Sequence, residues 1–104
     1  MLEITESNFT AEVEQSPLPV LIDFWASWCG PCMQMTSIVE EIAEAYRGRL
    51  KVVKVNVEQA ASVAMRFGIR GIPAFLIVKG GQVRAQWTGK QSRKSMEERI
   101  LREL

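Results

Sequence analysis

The chain has 104 residues, 47% of them hydrophobic, which is enough for one buried core at the ~100 to 150-residue size of a common domain, so a single domain over residues 1–104 is expected. Thirteen basic against twelve acidic residues leave a net charge of +1, too weak a field to gather nucleic acid or an anionic membrane. Met1 to Asn8 carries neither a basic nor an apolar leader region, and no apolar run approaches the ~20 residues of a membrane span, so a cytoplasmic protein is expected.

Ser7 or Asn8 can cap a short first helix with Phe9 and Val13 on one face, and Ser16-Pro17-Leu18-Pro19 breaks it. Val20 to Ala26 is an apolar and aromatic run of the kind found in a central strand. After Pro31, apolar residues recur at Met35, Ile38, Val39, Ile42 and Tyr46 with helical spacing, and Glu40, Glu41 and Glu44 fall on the other side. Arg47 suits the last turn of that helix and Gly48 its C-cap. Leu50 to Val57, rich in β-branched residues, follows closely, so strand, helix and strand form one βαβ unit with a parallel pair.

Gln59 to Arg66 can form a short helix stopped near Gly68, and Ile69 to Pro73 is a loop leading into a strand over Ala74 to Val78. Lys79-Gly80-Gly81-Gln82 is a hairpin turn, because glycines reach positive φ cheaply. Val83, Ala85 and Trp87 then alternate with Arg84, Gln86 and Thr88 in an antiparallel partner strand. The closing helix carries Met96, Ile100, Leu101 and Leu104 on one face. Its start is open between Ser92 as cap and a Ser95–Glu98 capping box.

Both cysteines fall in Trp28-Cys29-Gly30-Pro31-Cys32, where the apolar strand hands over to the helix. Pro31 suits a first helical turn, which places Cys29 just outside the helix and Cys32 within its first turn. Free N–H groups and the positive end of the helix dipole favour a thiolate there. Cys29, at the mouth, is expected to be the exposed nucleophile, and Cys32 to be covered by the following turn. Two intervening residues let the pair cycle between dithiol and disulfide with little backbone movement. Two cysteines across so short a loop add little stability, so they are present for reactivity.

Asp23 is the only charge inside the central apolar strand; desolvation there should raise its pKa and suit it to accept a proton, unless it is a solvated or paired carboxylate at the strand end. Lys54 shares parity with Leu50 and Val52 in the neighbouring strand, where it either approaches Asp23 or snorkels to the surface.

Asp23 to Cys32 resembles the active-site segment of thioredoxins, and Gly-Ile-Arg-Gly-Ile-Pro at 68–73 matches that family's second signature. Cys-x-x-Cys beside a βαβ pattern is itself read as this redox family. The resemblance runs from about residue 4 to the last helix. It implies the α/β thioredoxin fold: a mixed five-stranded sheet flanked by four helices, with a β-α-β N-terminal half and a β-β-α C-terminal half. It implies that Asp23 lies behind Cys32 and helps deprotonate it through a water, and it favours pairing of Lys54 with Asp23. It further implies that Pro73 is cis and faces the cysteines, so that the backbone of Ile72 receives an extended substrate segment. Trp28, Gly30, Pro31, Gly71, Ile72 and Gly89 would then form the apolar rim, although Trp28 alone could equally be a core residue.

The activity implied is reduction of protein disulfides, without bound cofactor or metal, by a monomer that receives electrons from a thioredoxin reductase-type donor and passes them to disulfide-containing clients. Another reading of the same cysteines is a soft-metal or iron-sulfur module shared between two chains, with Met33 and Met35 as nearby sulfur. Met33, where many thioredoxins have lysine, and Lys90, where a small apolar residue is common, bear on the choice of partners. Ser37 replaces a helix-kinking proline, so the second helix should run straighter.

Overall fold

Alternation along the central strand decides the architecture. In the computed structural model, which describes residues 1–104, the strands are β1 (Leu2–Glu3), β2 (Val20–Trp25), β3 (Lys51–Asn56), β4 (Ala74–Lys79) and β5 (Gln82–Thr88). They form one sheet in the order β1-β3-β2-β4-β5. The β1–β3 and β3–β2 pairs are parallel, whereas β2–β4 and β4–β5 are antiparallel. Val20, Ile22 and Phe24 of β2 face one core with Val53, Val55, Leu76 and Val78, under Phe9, Val13 and Val63. Leu21 faces the other core with Phe75, Ile77 and Trp87, under Val39, Ile42, Met96 and Ile100. Covering both faces is what makes β2 apolar at nearly every position.

Four α-helices accompany the sheet: α1 (Gly30–Gln34), α2 (Thr36–Ala45), α3 (Ala61–Arg66) and α4 (Arg93–Leu101). The sequence pattern delivers β2 to β5, α3 and α4 near their observed bounds, and the mixed five-stranded sheet with four helices is the thioredoxin fold. Gly68, at φ +65°, ends the α3 region, and Gly48, at φ +85°, follows α2. Ser92 Oγ accepts the Ser95 backbone N–H at 3.1 Å, which settles the start of α4 in favour of Ser92.

Five expectations change. The first helix is a single wide π-type turn over Thr10–Glu14 with no side-chain cap. Asn8 is already committed upstream, where its Oδ1 accepts the Thr5 backbone N–H at 2.7 Å and its amide donates to the Glu3 carbonyl at 3.1 Å. Phe9 and Val13 are nevertheless both buried.

The second helix is not one straight element, because it breaks at Met35 between α1 and α2 without any proline. There the Met35 N–H bonds back three residues to Cys32 O at 3.1 Å, a tightened turn. Cys32 packs in a small cluster with Ala26 and Cys29, whereas Met35, Val39 and Ile42 pack in the larger core beneath α2 and α4. The break lets each segment meet its own cluster, so tertiary packing overrides local helix continuity.

Strict alternation also fails in β5, where the register jumps from Ile77↔Ala85 to Val78↔Val83 and leaves Arg84 as an extra residue. This bulge turns Val83 away from the side of Ala85 and Trp87, and Val83 is exposed. Leu101, at the end of α4, is exposed as well, while Leu104 packs at the margin of the core. Finally, β1 adds a strand that no periodicity could announce, since it is two residues long.

Candidate active site

Every element that reaches the cysteines ends at the same edge of the sheet. β2 runs into the loop that carries Cys29, β3 ends at Asn56 beside Val57, and the loop before β4 brings in Ile72. Val57, Ile72 and Trp25 pack against the Ala26, Cys29 and Cys32 cluster. Asn56 Oδ1 accepts the Glu58 N–H at 2.9 Å and so fixes the turn after β3. Sequence reasoning passed over Asn56, although an asparagine at the end of a β-branched run is a turn signal.

Cys29 is the N-cap of α1, and its Sγ accepts the Cys32 backbone N–H at 3.1 Å. Pro31 lies in the first turn of α1. Cys29 and Cys32 are joined as a disulfide. The two residues are 4% and 3% exposed, so the expected contrast between an open and a covered cysteine is absent. Both cysteines belong to one buried cluster with Ala26, against which Ile72, Trp25 and Val57 pack, and this covers the two residues to a similar degree. What does separate them is their surroundings. A groove of ≈ 870 Å³ between the α1–α2 side and β3 is lined by Cys32, Asp23, Trp25, Met33 and Lys54, and Cys29 does not reach it.

Asp23 is buried, and its Oδ1 has no hydrogen-bond partner within the protein. Desolvation pushes its carboxyl up to about 7, partly offset by the positive charge of Lys54 and reinforced by the negative charge of Glu3. Lys54 stands directly opposite Asp23 in the β2–β3 register. No ion pair joins them; the ammonium instead lies 4.9 Å from the centre of the Trp25 ring.

Of the residues expected to form the rim, Trp28 is 67% exposed, Gly30 and Pro31 are exposed, and Gly71, Ile72 and Gly89 are partly so; Ile72 packs against the cysteine cluster. The Ile72–Pro73 peptide is cis, and Pro73 itself is buried. Gly89 N–H donates to the Pro73 carbonyl at 2.8 Å, which joins the loop before β4 to the segment after β5. A Cβ at Gly71 would come within 3.2 Å of Thr88 Cγ2, tight enough to disturb that junction. Lys90 Nζ donates to Gln34 Oε1 at 2.7 Å, bridging the segment after β5 to the end of α1.

No three His, Cys, Asp or Glu side chains gather in a way that could hold a metal ion, and no helix is long and apolar enough to cross a membrane. With both sulfurs bonded to each other and no third ligand at hand, the soft-metal reading is not favoured.

Known proteins resemble this chain in sequence. The thioredoxin family profile matches residues 1–102. Thioredoxin 1 of Nostoc sp. (strain PCC 7120 / SAG 25.82 / UTEX 2576) is 52% identical over 80 residues, covering 77% of this chain and 75% of its own. Thioredoxin of Chlorobaculum thiosulfatiphilum is 42% identical over 98 residues, covering 94% and 91%. Thioredoxin of Rickettsia felis (strain ATCC VR-1525 / URRWXCal2) is 41% identical over 93 residues, covering 89% of each. A disulfide-bonded cysteine pair capping a helix at the end of a mixed five-stranded sheet and a match along nearly the whole length lead to one conclusion: the chain belongs to the thioredoxin family.

Proposed function

We infer that the chain is a thiol-disulfide oxidoreductase that reduces protein disulfides through Cys29 and Cys32. The observation that carries this reading is the Cys29–Cys32 disulfide at the start of α1, with Cys29 Sγ receiving a backbone N–H. In the dithiol form, that N–H and the open end of α1 stabilise negative charge on the Cys29 sulfur. The thiolate attacks one sulfur of a client disulfide, forming a mixed disulfide and releasing the other client sulfur as a thiolate that takes up a proton. Cys32 loses its proton to Asp23, directly or through a water, and its sulfur attacks Cys29. The Cys29–Cys32 bond forms, the mixed disulfide breaks, and the second client sulfur leaves reduced. Two electrons pass from this chain to the client and are restored by an external donor.

Thioredoxin family membership implies a reductase as donor and disulfide-bearing proteins as clients. We assign the finer roles as follows. Cys29 attacks and Cys32 resolves, supported by the N–H bond to the first sulfur and the shared groove of the second with Asp23. A proton acceptor works best when its pKa lies near the operating pH, and a carboxyl at about 7 meets that condition. Lys54 tempers that carboxyl. Trp28, Gly30, Pro31, Gly71, Ile72, Pro73 and Gly89 form the docking edge for an extended client segment. The protein works as a cytoplasmic monomer of one domain, 1–104, on electrons from a thioredoxin reductase-type donor, with no bound cofactor.

The test is turnover of a disulfide-bonded protein, driven first by dithiothreitol and then by a reductase system. Cys29→Ser should abolish it. Cys32→Ser should still attack and accumulate a mixed disulfide on Cys29, visible by mass spectrometry. Adduct formation through Cys32 in the Cys29→Ser variant at a comparable rate would reverse the assignment.

A further inference from the structure

A row of charges crosses the sheet beside the resolving cysteine. Glu3 of β1 stands opposite Lys54 of β3, and Lys54 stands opposite Asp23 of β2. Residues aligned across parallel strands share a face, and strands lie ~4.8 Å apart, so Glu3 sits about 10 Å from Asp23 along the row. The Trp25 indole links them. Its Nε1–H donates to Glu3 Oε2 at 3.4 Å, and the Lys54 ammonium lies 4.9 Å from the ring centre. Glu3 holds the edge of the indole and Lys54 rests on its face.

We propose that Glu3 is a positioning residue for the resolving half of the exchange: it steadies the indole on which Lys54 rests and sets a second negative charge in the row, which keeps Asp23 a strong proton acceptor for Cys32. This deepens the function given above and rests on Asp23 serving Cys32. Two physical effects act in the same direction. A like charge in the row disfavours a second carboxylate, so Asp23 grips its proton harder. A lysine kept on the indole is a lysine kept out of ion-pair contact with Asp23.

Other groups face Asp23 as well. Desolvation is the largest influence on its carboxyl, Lys54 opposes it, and Glu3 adds to it. From α1 comes Cys32, and from β4 the uncharged Phe75 stands opposite. Glu40 and Glu44 of α2, Arg47 beyond it and Lys51 of β3 line the same groove, but none of them contributes to the displacement of Asp23. The lever at the β1 end of the row is therefore Glu3.

Two substitutions separate charge from structure in the full chain. Glu3→Gln keeps an acceptor oxygen for the indole N–H and removes only the charge, whereas Glu3→Lys reverses it. The Asp23 carboxyl is titrated directly by carbon-13 NMR, and the resolving step is timed across pH by rapid quench. Removing one charge about 10 Å away in a partly wet groove should move the Asp23 midpoint to lower pH by roughly half a unit. The Lys variant should move it about twice as far, and the pH profile of resolution should follow in step. A midpoint that stays put in both folded variants, or moves equally in both, overturns the proposal. Asp23→Asn serves as the control: an unchanged resolving rate there would overturn the base role itself, while the carboxyl titration still judges the charge of Glu3 on its own.

Discussion

Asp23 makes a thermodynamic demand that can be measured without any client protein. Its carboxyl titrates at about 7 in the folded chain against an ordinary 3.8, chiefly because burial disfavours the charged form. A carboxyl raised on folding holds its proton more tightly in the native state than in the unfolded one. Its contribution to stability is therefore complete below pH 3.8, falls as pH rises towards 7, and levels off above. The gap spans about three pH units at about 1.4 kcal/mol each, so up to about 4 kcal/mol is lost by pH 8. Water entering the groove relaxes part of the desolvation, which makes that figure a ceiling. Asp23→Asn removes the ionisation while keeping the shape. The variant should match the parent within about 1 kcal/mol near pH 4, where the parent carboxyl is mostly protonated, and exceed it by about 2 to 4 kcal/mol at pH 8. Urea titrations of the oxidised forms by circular dichroism, from pH 4 to 9, give the difference directly. A constant gap between variant and parent across that range would refute the reasoning, because it would mean Asp23 is equally solvated in both states.

Three further outcomes follow from the geometry. In rapid-quench experiments near neutral pH, Asp23→Asn should leave the attack by Cys29 nearly unchanged and slow resolution by up to the ~10² to 10⁴ typical of a general base, with the defect shrinking as pH rises and Cys32 ionises unaided. Trp28→Ala, at a residue that is 67% exposed, should leave the urea midpoint nearly unchanged and weaken protein-disulfide turnover several-fold, while alkylation of Cys29 by a small reagent stays within about twofold. Ser37→Pro, in the first turn of α2, should change stability by less than about 1 kcal/mol, because a proline is tolerated there and the break at Met35 already exists; a loss of several kcal/mol in denaturant melts would show that the Ser37 N–H is needed.

The parts of the fold that were legible in the sequence are those where one periodicity runs uninterrupted. The apolar run of β2, the β-branched run of β3 and the paired glycines at 80 and 81 each signal their element alone. Interruption hides the rest. A two-residue strand such as β1 has no pattern, and the bulge at Arg84 reverses a parity that looked regular. The break at Met35 comes from two separate packing clusters competing for one helix, information that resides in residues far along the chain. At the site, the cysteine pair and Asp23 stood out because each violates its surroundings: a dithiol at a helix start and a charge in an apolar strand. The similar burial of the two cysteines involves Val57 and Ile72, which lie far along the chain, and could not be read locally. Glu3 carries no signal in the sequence, since its place in the charge row comes only from register with Lys54.

The break at Met35 also divides responsibilities within the protein. Both redox sulfurs sit on one short segment, Cys29 as the cap of α1 and Cys32 within it, and with Ala26 they form a buried cluster of three residues that meets one of the two large cores through Val57 and Ile72. Changes at the exposed positions of that segment leave the buried side chains of the two large cores in place. For a redox carrier, this means that Met33, Gln34 and Lys90, all exposed beside the redox turn, can be substituted with little cost to the scaffold.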